Sequence, residues 1–397
     1  IKSKKFLNYS TQSIDKNDIN QVVKVLKSNF LTQGPNIQDF EKKFARTVGS
    51  KYAVACSNGT AALHLSLLAL GINSKKTLLT SPITFLASAN CIEFLNGKTL
   101  FADINDKSFC LCPIELEKKL KKYKIDVVVA VHMAGHSAEM NKIHKLKKKY
   151  NFKLIEDSCH ALGGFYKNKP VGCSYYSDLS TFSFHPVKPI TTGEGGMITT
   201  NSSEYYKKLI LYRTHGMHKN SDQFKNKKLA FDKNGNVNQW YYEMNNVGYN
   251  YRMTDIQAAL GLSQISKLKK FTKKRNAIAS YYYKHLKENK YIKIFKPNKN
   301  IYHAYHLFVI LVDFKKINKT RYEVMQFLKD RNIGTQVLYI PLHYQPYYQK
   351  KYNYKKGNFP KSEKYYDSCL SIPIFPDLKK SDLKFIVDTI NKIICKN

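Results

Sequence analysis

Five consecutive residues, Val127, Val128, Val129, Ala130 and Val131, carry no polar side chain. A strand of that kind is stable only where both of its faces are covered. The expectation is an α/β layering with helices on either side of the sheet. Further short apolar runs at 52–56, 77–79, 153–156 and 179–184, together with 127–132, alternate with helical patterns through the first 260 residues. Functional residues of such a sheet belong at the carboxyl ends of its strands, where open α/β sheets present a crevice.

Beyond Leu260 the rhythm changes to a lysine-rich helical pattern over 263–290 and then to an α+β mixture. A chain of 397 residues exceeds what one core usually holds. Two domains are therefore expected, 1–262 and a smaller 263–397. The polar stretch 219–247 is longer than most connections and reads as a functional or mobile loop.

The 66 basic residues outnumber the 29 acidic ones to give a formal charge of +37, which raises nucleic acid as a partner. The excess is mostly lysine and recurs in every segment, whereas a base-reading groove gathers arginine on one face. A solvated basic surface is expected, with no specific nucleic acid. The nearest cysteines, Cys110 and Cys112, lack zinc-ligand spacing. No metal is expected, and eight scattered cysteines fit a reducing cytoplasm. No uncharged run reaches the 18 residues of a membrane span. The sequence opens on Ile1 rather than methionine, which leaves room for an upstream segment.

Three segments carry chemistry. In Ser183-Phe184-His185-Pro186-Val187-Lys188-Pro189, prolines on either side of Lys188 exclude a helix interior, and Gly193, Gly195 and Gly196 permit tight turns close to a ligand. Lys188 alone is one lysine among many. Asp157 ends an apolar run some 30 residues earlier, which suits either a helix cap or the carboxylate that pyridoxal phosphate (PLP) needs against its pyridine nitrogen. Ser57-Asn58-Gly59-Thr60-Ala61 lies between a strand and an apolar helix, where backbone N–H groups at a helix start bind phosphate. Each signal is ordinary by itself; together they describe a PLP site.

In order and spacing these segments resemble the DegT-type family of PLP-dependent nucleotide-sugar aminotransferases over nearly the whole chain. Leu31-Thr32-Gln33-Gly34, Ser81-Pro82-Ile83-Thr84-Phe85, 132–140 and Gly248-Tyr249-Asn250-Tyr251-Arg252-Met253 agree with it. Within the family, 183–192 and Tyr212-Arg213-Thr214-His215-Gly216-Met217 look most like the aminotransferases of the pseudaminic acid pathway. The resemblance implies fold type I, with a mixed seven-stranded sheet in the large domain, a smaller α+β C-terminal domain, and a homodimer with shared active sites. It makes Lys188 the Schiff-base lysine and places Asp157 at the pyridine nitrogen. It gives the phosphate to Thr60, Ser183 and the Gly59–Ala61 backbone, with Asn250 reaching the neighbouring subunit's cofactor. Phe85 would stack on the ring. His160 would sit by the cofactor hydroxyl, where many relatives carry glutamine, and a contact there is expected to be pH-dependent because histidine titrates near neutrality.

For the substrate, the resemblance points to Tyr9, Phe30, Thr32, Gln33, Tyr339 and His343. His185, three residues from Lys188 and before a proline, is expected to line the substrate. The implied reaction moves an amino group from L-glutamate to C4 of a UDP-linked 2-acetamido-2,6-dideoxy-4-hexulose. The alternatives are another UDP- or dTDP-linked keto sugar aminated at C3 or C4, a PLP-dependent sugar dehydratase, which has histidine in place of Lys188, and a basic nucleic-acid-binding protein.

Overall fold

The computed structural model describes residues 2–395. Its centre is a seven-stranded sheet of β1 (Tyr52–Cys56), β2 (Thr77–Thr80), β3 (Lys98–Phe101), β4 (Val127–Val131), β5 (Lys153–Asp157), β6 (Leu179–Ser183) and β7 (Gly196–Thr200). The spatial order is β1-β7-β6-β5-β4-β2-β3. Only β7 runs against the others: it pairs antiparallel with β1 and β6, and every remaining pair is parallel. The carboxyl ends of six strands therefore share one edge, and the chain re-enters the sheet there at Gly196. All five residues of β4 are buried, as their apolar side chains require.

The apolar helix α3 (Gly59–Ala69) follows β1 and packs one face of the sheet, burying Leu63, Leu65 and Leu67 with Val54, Val129 and Ile155. On the other face, α1 (Lys16–Leu26) and α2 (Pro35–Val48) lie on a 32-residue helix, Asp255–Leu286. A capping box between Thr254 and Gln257 starts that helix. Its first half buries Ala258, Ile265, Leu268 and Phe271 with Phe40, Phe44 and Phe184 of the large-domain core. Its second half buries Ile278, Tyr282 and Leu286 in a separate core with Phe308, Ile310, Leu370 and Ile386.

The expected boundary after residue 262 falls inside this helix, which begins at Asp255 rather than 263. One helix serves both cores, and its exposed lysines mask the continuity in the sequence. The C-terminal region carries a three-stranded sheet of Ile292–Lys293, Phe308–Val312 and Cys369–Ile372. The N-terminal segment joins it: Leu7 is fully buried in the C-terminal core, and Leu7 N donates to Asn332 O at 2.7 Å. The stretch 219–247 forms only short elements and leaves Trp240, Met244 and Val247 exposed. No described helix is long and apolar enough to cross a membrane.

Candidate active site

At the carboxyl edge of the sheet lies a cleft of about 690 Å³. Its floor comes from three strand ends. Asp157 closes β5, Ser183 closes β6, and Asn58 follows β1; the register sets Cys56 and Ser183 on either side of Gly196. Gly196 has to be glycine, because a Cβ there would lie 2.3 Å from the Asn58 carbonyl oxygen. A Cβ on Gly59 would meet Ser183 Cβ at 2.9 Å, so the start of α3 and the Ser183 hydroxyl converge at one point.

Asn58 caps α3 by accepting from Ala61 N at 2.8 Å. That removes the Ala61 amide from the set expected to hold phosphate. The amides of Gly59 and Thr60 have no partner among the described residues and lie at the helix start, where the peptide dipoles favour an anion.

Asp157 is 6 % exposed, and both of its oxygens are held. Oδ2 accepts from Ser88 Oγ at 2.6 Å and Oδ1 from Cys159 N at 3.2 Å. Ser88 is also bonded to Thr84 at 2.7 Å. A carboxylate fixed this firmly and still lining the cleft is suited to a cationic partner. Opposite it, Lys188 rides a loop closed at its base by Phe184 N to Gly195 O at 2.8 Å and Thr192 N to Phe184 O at 3.0 Å. Phe184 anchors the loop against Phe40 and Phe44, and Ser10 Oγ donates to Val187 O at 3.0 Å. Lys188 is half-buried in the cleft wall, and the surrounding protein pushes its amine below the ordinary lysine range.

His160 is 4 % exposed and lies between Ala134 N and the Tyr339 hydroxyl. Burial, and then the nearby Lys188, push it well below the usual histidine range. This corrects the sequence-based expectation: the ring stays neutral through neutral pH, and its contact is not pH-dependent there. Burial likewise raises the Tyr339 phenol, so it remains protonated.

Of the residues singled out from the sequence, Lys188, Asp157, Gly59, Thr60, Ala61, Phe85, His160, Ser183, His185, Tyr9 and Tyr339 all line the cleft. Phe85 is 53 % exposed there. Five others lie elsewhere in this chain. Phe30, Thr32 and Gln33 are exposed near the start of the long helix, where Thr32 bridges to Thr254. Asn250 is exposed and bridges to Thr214. His343 is fully buried, with Nε2 3.0 Å from Glu363 Oε1, so it cannot touch a substrate in this cleft. Sequence reasoning missed Ser88, Cys159, Glu194 and Tyr251. The only sequence signal for Ser88 is a small polar residue four positions after Thr84, one helical turn.

A match to the DegT/DnrJ/EryC1/StrS aminotransferase family spans residues 12–391. The chain belongs to that family. It is 38% identical to the UDP-4-amino-4,6-dideoxy-N-acetyl-beta-L-altrosamine transaminase of Campylobacter jejuni serotype O:23/36 over 397 residues, 98% of each chain. It is 37% identical to the spore coat polysaccharide biosynthesis protein SpsC of Bacillus subtilis over 390 residues, 98% of this chain and 97% of that one. Among solved structures, Helicobacter pylori PseC, an aminotransferase involved in the biosynthesis of pseudoaminic acid, superposes with a TM-score of 0.89 at 32% identity, covering 98% of this chain and 99% of PseC.

The protein is a PLP-dependent sugar aminotransferase with the fold of that enzyme class. The residues present fit PLP: a free helix start beside Ser183 for the phosphate, a buried and doubly bonded carboxylate for the pyridine nitrogen, an exposed aromatic face in Phe85, and one lysine with a lowered pKa.

Proposed function

We propose that this aminotransferase moves an amino group from L-glutamate to C4 of UDP-2-acetamido-2,6-dideoxy-β-L-arabino-hexos-4-ulose, yielding a 4-amino-4,6-dideoxy sugar nucleotide for a pseudaminic-acid-type glycan. The observation that carries the reading is the pairing of Lys188 and Asp157 in one cleft, within a chain alignable end to end with a transaminase named for that product.

PLP, when bound, supplies an electron sink that makes a proton next to nitrogen acidic. Asp157, held by Ser88 and Cys159, keeps the pyridine nitrogen protonated. Lys188 Nζ would hold the cofactor and, as a free amine, would be the base that takes the proton from the donor's Cα. Its lowered pKa keeps more of the amine in the neutral, basic form at a given pH. The Gly59 and Thr60 amides and the Ser183 hydroxyl would hold the phosphate end, and Phe85 would cover the ring. Tyr9, His185 and Tyr339 face the space left for the sugar. The lysine-rich surface favours capture of a dianionic nucleotide diphosphate.

A second copy of the chain completes this account. Phe85 and Phe94 at the cleft and Trp240, Met244 and Val247 on the 219–247 stretch are exposed large apolar side chains that a partner chain would cover. Phe30, Thr32, Gln33 and Asn250 then serve the partner's cleft rather than their own. Eight free cysteines, six of them buried, suit a reducing cytoplasm.

The test is a panel of UDP- and dTDP-linked keto sugars incubated with enzyme, PLP and glutamate, the product being identified by NMR. Amination of the UDP-linked 4-keto sugar at C4 is expected. Preference for a dTDP-linked or 3-keto sugar would replace the substrate while leaving the chemistry.

A further inference from the structure

His160 stands in the cleft wall with both ring nitrogens engaged, and the two engagements differ. Nδ1 lies 3.3 Å from the backbone nitrogen of Ala134, whose N–H points at it. A peptide N–H can only donate, so Nδ1 must be the bare, accepting nitrogen. A neutral imidazole has one proton, and it is thereby assigned to Nε2. Nε2 lies 3.2 Å from the Tyr339 hydroxyl. The ring donates there, the phenol oxygen accepts, and the phenol's own proton is free to point elsewhere. Tyr339 lines the cleft with Lys188, Asp157 and His185.

The arrangement is held against inversion from several sides. Ala134 sits in a tight turn, Met133–Gly135, at a φ of 59°. A Cβ on Gly135 would lie 2.8 Å from Tyr305 N and 2.9 Å from the His160 carbonyl oxygen, so the turn is wedged against both segments. Behind the turn, His132 N donates to Asp157 O at 3.1 Å, and the His132 ring joins Ala138 N to Glu156. His306 packs its buried ring on His160 at 4.3 Å between centroids, and its Nδ1 has no partner among the described residues. It serves as a plate and does not compete for either nitrogen of His160. Tyr365 OH fixes the Leu338 carbonyl at 2.7 Å, directly before Tyr339.

We infer that His160 is a positioning residue locked as the Nε2–H tautomer, and that this obliges the Tyr339 hydroxyl to donate a hydrogen bond into the cleft. The acceptor is an electron-rich oxygen, either of the bound cofactor or of the keto sugar. The identity of that acceptor rests on the proposed function; the tautomer does not.

The first experiment is two-bond ¹H–¹⁵N correlation on ¹⁵N-histidine protein, with the His160 signal assigned by its loss in His160→Gln. The Nε2–H pattern is expected from about pH 6 to about pH 8, and should persist in Tyr339→Phe because Ala134 sets it. An Nδ1–H pattern or a protonated ring in that range overturns the inference.

The second arm is turnover of the keto sugar. Tyr339→Phe and His160→Leu should each lose about tenfold or more, the worth of one hydrogen bond in a buried site. His160→Gln, which offers an amide oxygen to Ala134 and an N–H to Tyr339, should recover activity to within about threefold of the parent. Full activity in Tyr339→Phe, or equal loss in the Gln and Leu variants, refutes the role. A changed absorption spectrum of the PLP-loaded Tyr339→Phe protein before sugar is added identifies a cofactor oxygen as the acceptor; an unchanged spectrum with a raised KM identifies the sugar. If the parent enzyme aminated no sugar in the panel, the proposed function would fail, and the tautomer measurement would still decide this inference.

Discussion

Under β1, Arg213 and Glu41 form a clamp whose removal has a calculable cost. Arg213 Nη1 lies 2.6 Å from Glu41 Oε1 and 2.8 Å from the Ala55 carbonyl, and the same Glu41 oxygen accepts from Ala55 N at 2.8 Å. The two side chains are 14% and 10% exposed. Arg213→Met would leave the mostly buried Glu41 carboxylate without its ion-pair partner, which costs about 3–5 kcal/mol. Adding Glu41→Gln removes the stranded charge while keeping an oxygen for Ala55 N, so the double variant should regain at least about 1 kcal/mol.

Urea unfolding followed by circular dichroism reads both effects. Protein concentration must be held fixed, since association would shift the midpoint. Because β1 leads directly into Ser57–Thr60, PLP affinity should fall with stability in the single variant. A single variant within about 1 kcal/mol of the parent, or a double variant no more stable than the single, would refute the reasoning.

Acid should weaken the fold through its buried histidines. Burial lowers His136 to about 4, and His64, His160, His303 and His306 are lowered as well. The unfolded chain takes up protons below about pH 6.5 that the folded chain refuses, so this stability is present above that pH and lost as pH falls toward 4. His136 alone accounts for about 2 kcal/mol by about pH 5; an unchanged urea midpoint between about pH 7 and about pH 5 would contradict this. Gly196→Ala should force β7 away from the Asn58 carbonyl and cost roughly 1–3 kcal/mol, with PLP binding lost alongside, measurable by absorbance titration. Normal PLP affinity in that variant would show that the strand junction is not part of the phosphate site.

The layout of the large domain was legible because its signals are local. The unbroken apolar run of β4, the aspartate closing β5 and the small residues between β1 and α3 each announce their positions within a few residues of sequence. The proline-bounded Lys188 is of the same kind. What escaped was set by contacts between distant segments. Ser88 reaches Asp157 across 69 positions, and nothing in its neighbourhood distinguishes it from other serines. The neutrality of His160 depends on burial beneath His306 and beside Tyr339, so its ordinary solution pKa misled. The resemblance pointed to His343 for the substrate, yet its buried ring is paired with Glu363. The long helix spans the boundary expected after residue 262, unforeseen because helical periodicity carries no mark of which core each face will meet.

The central claim is that Lys188 is the residue that carries PLP. Borohydride reduction of the PLP-loaded protein, followed by peptide mapping, tests it most directly. The yellow protein should bleach, and the phosphopyridoxyl mass should lie on the peptide containing Lys188 and be absent from Lys188→Ala, which should also fail to aminate the sugar. A label on a different lysine, or normal turnover by Lys188→Ala, would contradict the account.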